Sequence, residues 1–257
     1  MPNFLYIFNN IYIAYILGWQ DILSRYRRST VGPFWITISM GLTVSIIAYV
    51  FGHLFNTPLE EYLPFLATGF ILWVFFTSSI LDGSLCFIES ESMIKELQIP
   101  FLTYVYRVLW RNLFILAHNI LIIPFVFLIT GKNFTLFALL IVPGLFFVTF
   151  FLGWVSTLLA IICSRYRDAH HIVSSLLNVI FYLTPIIWMP SQLSIHTELE
   201  FFNLNPFYHM LELIRTPLLG KPPSIVSYII VFFINIIGVL LTYKIFIHFR
   251  NKIAYWL

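Results

Sequence analysis

Apolar residues run along this chain in long unbroken blocks, not in the three-and-four rhythm of a helix with one wet face. Six blocks stand out, at 34–55, 62–81, 113–129, 134–163, 172–189 and 225–243. About 20 apolar residues carry a helix across a bilayer. In hydrocarbon a backbone must satisfy its own polar groups, and these runs are too long and too uniform for barrel strands. The predicted fold is therefore all-α, with six transmembrane helices. The fourth block is overlong, which predicts tilt or a kink near Pro143 and Gly144. The fifth is short and is interrupted by Asn178 and Pro185, so it either crosses or bends back before crossing.

Three segments depart from this pattern. Between 4 and 29, Phe4, Phe8, Ile11, Tyr15, Trp19, Ile22 and Tyr26 recur at steps of three and four, with polar residues such as Asn9, Asn10 and Asp21 between them. That spacing predicts an amphipathic helix lying in the membrane interface. Residues 88–100 hold four charged side chains, Glu89, Glu91, Lys95 and Glu96. Ser92 is placed to cap a short helix there, Pro100 to end it, and Ile94 and Leu97 share a face. This is either a solvated connector or a docking helix for a cytoplasmic partner. Residues 190–224 are too long for a turn. Asn205 suits an N-cap and Pro206 the first helical position, predicting a helix to about Arg215 that Pro217 stops. Phe207, Met210, Leu211 and Ile214 form its apolar stripe, so it packs over or into the bundle.

Composition supports the membrane reading. Hydrophobic residues make up 60% of the 257 and charged residues 10%, against about 25% charged in a soluble domain. Mean hydropathy is +0.91. A net charge of +3 offers no basic surface for nucleic acid. Among the 14 lysines and arginines, only Lys132, Arg215 and Lys221 fall on one side of the predicted membrane. The rest fall on the other, which the positive-inside rule makes cytoplasmic, with both termini.

Chemistry is sparse. No GxxxxGK[ST] loop is present, so the chain has no phosphate-cradling loop for ATP. His170 and His171 are adjacent and point about 100° apart on a helix, a poor metal pair. Cys86 and Cys163 lack ligand spacing and read as small apolar fillers. His118 and Asn119, inside the third block, serve either an interhelical hydrogen bond or a pore lining. Glu60 and Glu61 are either a solvated loop or an acid pair of the kind a membrane glycosyltransferase uses. Aromatic residues reach 19%, more than two interfacial belts need. Most pack against lipid or core, and flat rings also suit the apolar faces of sugars.

Three stretches, in order, resemble one family. "RYRRSTVGPFW" before the first block, "RYRDAHHIVSSLLNVIFYLTPIIW" around the fifth and "NLNPFYHMLELIR" after it are similar to signatures of type-2 ABC exporter permeases of the polysaccharide (O-antigen) export family. Trp188 stands where that pattern often has tyrosine. The resemblance covers nearly the whole chain. It implies a homodimer in the bacterial inner membrane with a channel between the copies, lined by the first and fifth spans. It also implies a separate cytoplasmic ABC ATPase that binds ATP and Mg, this chain holding no cofactor of its own. The cargo would be a glycan on a polyprenyl pyrophosphate. Arg25, Arg27 and Arg28 would meet the lipid-linked headgroup, or else only set topology and anchor ordinary membrane lipid. Glu91, Ile94, Lys95 and Leu97 would couple to the ATPase. Phe181, Tyr182, Phe207 and Tyr208 would line the channel or gate. The same fold also serves exporters of small molecules, lipids, teichoic acids or capsule. A membrane glycosyl- or acyltransferase is the further alternative.

Overall fold

A computed structural model describes residues 4–27, 32, 34–97, 99–192 and 203–257. Arg28 and residues 193–202 of the last long loop lie outside the described residues. Among those described, every regular element is helical: α1 (Phe4–Tyr26), α2 (Phe34–Leu54), α3 (Leu59–Glu89), α4 (Glu91–Glu96), α5 (Phe101–Ile120), α6 (Ile122–Thr130), α7 (Ile141–Arg165), α8 (Ala169–Leu183), α9 (Pro206–Leu218) and α10 (Ile225–Trp256), with 3₁₀ turns at Leu136–Leu140 and Pro190–Gln192.

Five helical stretches are long and apolar enough to cross a membrane: Phe34–Leu54, Leu59–Glu89, Phe101–Thr130, Leu136–Arg165 and Ile225–Trp256. The chain is thus a multi-pass membrane protein. The expected fifth span appears as α8, whose 15 residues reach about 22 Å, short of the ~30 Å hydrocarbon core. Pro185 is the reason. The residue before a proline is driven out of the helical region, and Thr184 is extended at φ −95° and ψ 133°.

α3 is the central post. It packs against α2, α5, α6, α7, α8 and α9, and most of its residues from Tyr62 to Phe87 are buried. Contact with α7 is close because small residues face each other. A Cβ on Gly83 would fall 2.5 Å from the Ser156 Cβ, and the Ser156 hydroxyl donates to the Ser79 carbonyl at 3.1 Å. In lipid, small residues and interhelical hydrogen bonds of this kind take over the work that apolar burial does in water. α10 is held to α7 likewise: the Trp154 indole N–H donates to Asn235 Oδ1 at 3.0 Å.

Prolines shape the remaining breaks. Pro124 displaces the Ile120 carbonyl one turn earlier, and α5 yields to α6 at Leu121. Gly131, at φ 68°, ends α6 in the left-handed conformation. The kink expected near Pro143 resolves differently: α7 begins at Ile141, so Pro143 sits in a first turn, where its missing N–H costs nothing. Pro217 does not stop α9 at Arg215, because the helix continues to Leu218. Without an N–H at Pro217, the Leu213 carbonyl is left free of its usual partner. It lies instead against Gly144, where a Cβ would meet it at 2.5 Å. At its start α9 follows expectation, with Asn205 Oδ1 accepting from the Phe207 N–H at 3.0 Å, and Phe207, Met210, Leu211 and Ile214 all buried.

α1 lies along α5, and of the described stripe side chains only Ile22 belongs to the packed face. Ala14, Gly18 and Ile22 are buried, and a Cβ on Gly18 would be 2.9 Å from the Arg107 carbonyl. Ile11, Tyr15 and Trp19 remain exposed, with the rings of the last two packed against Phe114 at 5.9 and 5.3 Å between centroids.

Candidate functional site

The start of α5 and the ends of α7 and α10, which carry Arg107, Arg111, Arg165, Lys244, Arg250 and Lys252, gather with the end of α3 at one end of the bundle, called here the basic end. A charged cluster there ties three helices together. Arg107 on α5 donates to both oxygens of Asp21 on α1, from Nη2 at 2.6 Å and Nε at 2.8 Å. Arg111, one turn on, reaches Asp21 Oδ2 at 3.4 Å and Asp82 Oδ2 on α3 at 2.9 Å. Asn112 adds a second donor to Asp82 at 3.2 Å. The paired geometry on Asp21 is the planar fork that suits a carboxylate. Two cations against two anions leave the cluster neutral, which permits its partial burial.

This cluster also touches α4, since Arg107 Nη1 lies 3.8 Å from Met93 Sδ. Met93 and Ile94 pack half-buried on the core, whereas Ser92, Lys95, Glu96 and Leu97 are exposed. Ile94 and Leu97 therefore do not share one environment: the first roots the helix and the second is presented outward. Lys95 bonds Glu91 across one turn at 2.6 Å and holds its carboxyl below the usual carboxylate range. Ser90, not Ser92, occupies the N-cap position, without a side-chain cap. The helix ends at Glu96, and Pro100 instead precedes the first residue of α5. The result is a short, apolar-rooted and charge-faced helix presented at the basic end.

Of the three arginines expected to meet a headgroup, Arg27 is exposed, while the Arg25 side chain and Arg28 fall outside what is described.

At the opposite end, α9 and the bent segment after α8 form a second knot. Arg215 donates to the Pro185 carbonyl at 2.6 Å and to Glu212 Oε1 at 2.5 Å, with its guanidinium 4.2 Å from the centroid of the Phe65 ring. The Tyr62 hydroxyl donates to the Ile187 carbonyl, and Asn205 Nδ2 to Thr184 Oγ1 at 2.7 Å. The residues after α8 are thereby pinned beside the first turns of α3.

The aromatic candidates divide. Phe207 is buried among Trp73, Phe76 and Phe151. Phe181 meets the same Trp73 at 5.7 Å, so Trp73 links the two. Tyr182 is 72% exposed and stands on the open side of α8. Tyr208 is half-buried, and burial with the Glu212 carboxylate pushes its hydroxyl up to about 12. Glu60 and Glu61 are exposed in the first turn of α3. The His118 ring bonds its own helix at the Phe114 carbonyl, and His170 bonds Ser84 at 2.8 Å.

Sequence reasoning missed the Asp21, Asp82, Arg107 and Arg111 cluster. Its signal was present: arginines four apart inside an apolar helix are costly in a membrane unless paired.

Comparison with known proteins gives this bundle of apolar helices, with a small charged helix presented at one end, its family. The model of the ABC-2 type transporter family matches residues 13–219, and the chain belongs to that family. It is a transport permease subunit. Among its relatives are O-antigen export system permease proteins RfbA. One, from Klebsiella pneumoniae, is 25% identical over 254 residues, covering 95% of this chain and 94% of the relative. Another, from Myxococcus xanthus, is 26% identical over 192 residues, covering 72% and 70%.

Proposed function

We propose that this chain is the membrane subunit of an ATP-driven exporter that moves a polyprenyl-pyrophosphate-linked polysaccharide outward across the bacterial inner membrane. The reading is carried by family membership together with relatives named for O-antigen export, one aligned over nearly the full length of both chains. In this reading the chain crosses six times, with α8 and the segment after it as the fifth crossing, and the basic end and both termini are cytoplasmic. α1 lies in the inner interface. Two copies pair, and a separate ABC ATPase with ATP and Mg docks on α4. The exposed Lys95, Glu96 and Leu97 support that docking surface, and the bond from Arg107 to Met93 supports a link from it to α1 and α3. Arg25, Arg27 and Arg28 receive the pyrophosphate, a match of guanidinium forks to paired phosphate oxygens. Phe181, Tyr182, Phe207 and Tyr208 belong to the channel and gate.

The test is deletion of the gene, with lipid-linked glycan measured on the cytoplasmic face and glycan at the surface in parallel. Internal build-up with surface loss is expected. Normal surface glycan would overturn the cargo assignment and leave an exporter of another substrate.

A further inference from the structure

A recess lies on the side of the bundle, between α5, α7 and α10, with Ile11 of α1 at one edge. Its volume is about 660 Å³. A methylene fills roughly the space of one liquid water, ~30 Å³, so the recess holds roughly twenty of them. Its walls include Leu109, Trp110, Phe150, Gly153 and Phe246.

Three of the polar side chains in the lining are already engaged. Thr157 turns its hydroxyl onto the Gly153 carbonyl at 2.8 Å and Thr242 onto the Trp154 carbonyl at 3.4 Å. The Trp154 N–H is held by Asn235. These three side chains therefore present ring carbon and methyl groups to the recess. Phe146 and Tyr243 at its rim are 67% and 62% exposed, so the mouth opens sideways, along helices long enough to span a bilayer. A recess of that chemistry, opening into hydrocarbon, takes up a hydrocarbon chain. The arginines of α5 nearby, Arg107 and Arg111, are bonded to Asp21 and Asp82, so they are not free to read a pyrophosphate.

We propose that the recess between α5, α7 and α10 lodges one acyl chain of a bilayer phospholipid as a resident lipid, whatever cargo the permease moves. The lipid fills the wedge that α1 would otherwise close over empty space, and so steadies α1 against α5.

Native mass spectrometry of the intact permease, purified from phosphatidylethanolamine and phosphatidylglycerol vesicles and washed in detergent, tests this directly. The wild type is expected to retain a phospholipid through the wash. Gly153→Phe fills the recess from α7, where a Cβ has room beside Leu109 at 3.5 Å, and is expected to lose it. Should that variant aggregate, Thr149→Trp, one turn earlier on the same wall, gives the same reading. Leu128→Phe, on the exposed face of α6, is expected to keep the lipid. Equal retention by the filled and wild-type proteins would overturn the proposal, as would a wild type that retains no lipid or carries a polyprenyl phosphate in its place. Loss of pairing between two copies on filling, with no lipid ever bound, would assign the recess to the second copy and overturn it equally.

Discussion

Asp21 holds α1 to α5 by accepting both donors of one guanidinium. Replacing it with asparagine leaves Arg107 half-paired in a mostly buried place. The expected loss is about 1.5–3 kcal/mol, the range for hydrogen bonds to charged groups. Thermal unfolding of Asp21→Asn in detergent measures it. In a cycle with Arg107→Gln, the double variant is expected to lose clearly less than the sum of the two single losses. A second single-residue consequence follows from the carbonyl that Pro217 leaves unbonded. Gly144→Ala places a methyl 2.5 Å from Leu213 O, and overpacking of that order costs about 1–3 kcal/mol. A melting temperature equal to wild type would show that α9 can slide away from α7. Neither contact could be read from the sequence. Asp21 and Arg107 are 86 positions apart, and the freed carbonyl matters only because Gly144 happens to face it.

Among the elements, α4 and α9 behave differently under the same kind of reading. The start of α9 was legible because capping is local: Asn205, Pro206 and the stripe from Phe207 to Ile214 all lie within ten residues. The packed face of α1 was not legible, because in lipid the buried face is marked by small residues, here Ala14 and Gly18, and not by hydrophobicity. The third span was predicted to begin at Leu113, and α5 begins at Phe101. Arg107 and Arg111 break the apolar run, and only their partners make helix at that depth affordable. For α4, Leu97→Asp is expected to uncouple ATP hydrolysis from export while membrane insertion stays normal, since Leu97 is 49% exposed and holds no core contact in place. Parallel assays of hydrolysis and surface glycan check this, and normal export would remove α4 from the coupling path.

For the whole molecule, the blocks of apolar residues specified a helical membrane bundle correctly, and five of the six expected spans appear as helices of crossing length. The expected fifth span differs: α8 has 15 residues and ends before Pro185, which drives Thr184 out of the helical region. Neutralising Arg25, Arg27 and Arg28 together is expected to stall export without loss of insertion, because the other basic-end cations keep the charge bias that sets orientation. Quantifying membrane-inserted protein beside surface glycan tests both halves. α3 bears on how such a molecule moves. Its 31 residues make a rod about 46 Å long, gripped at one end by Arg111 through Asp82 and at the other by Ile187 and Arg215 through Tyr62 and Phe65. Tilted by about 5° around its middle, a rod of that length carries its two tips about 2 Å in opposite directions. The two faces of the membrane are thus joined as the arms of a seesaw, and a push that arrives at one is felt at the other in reverse.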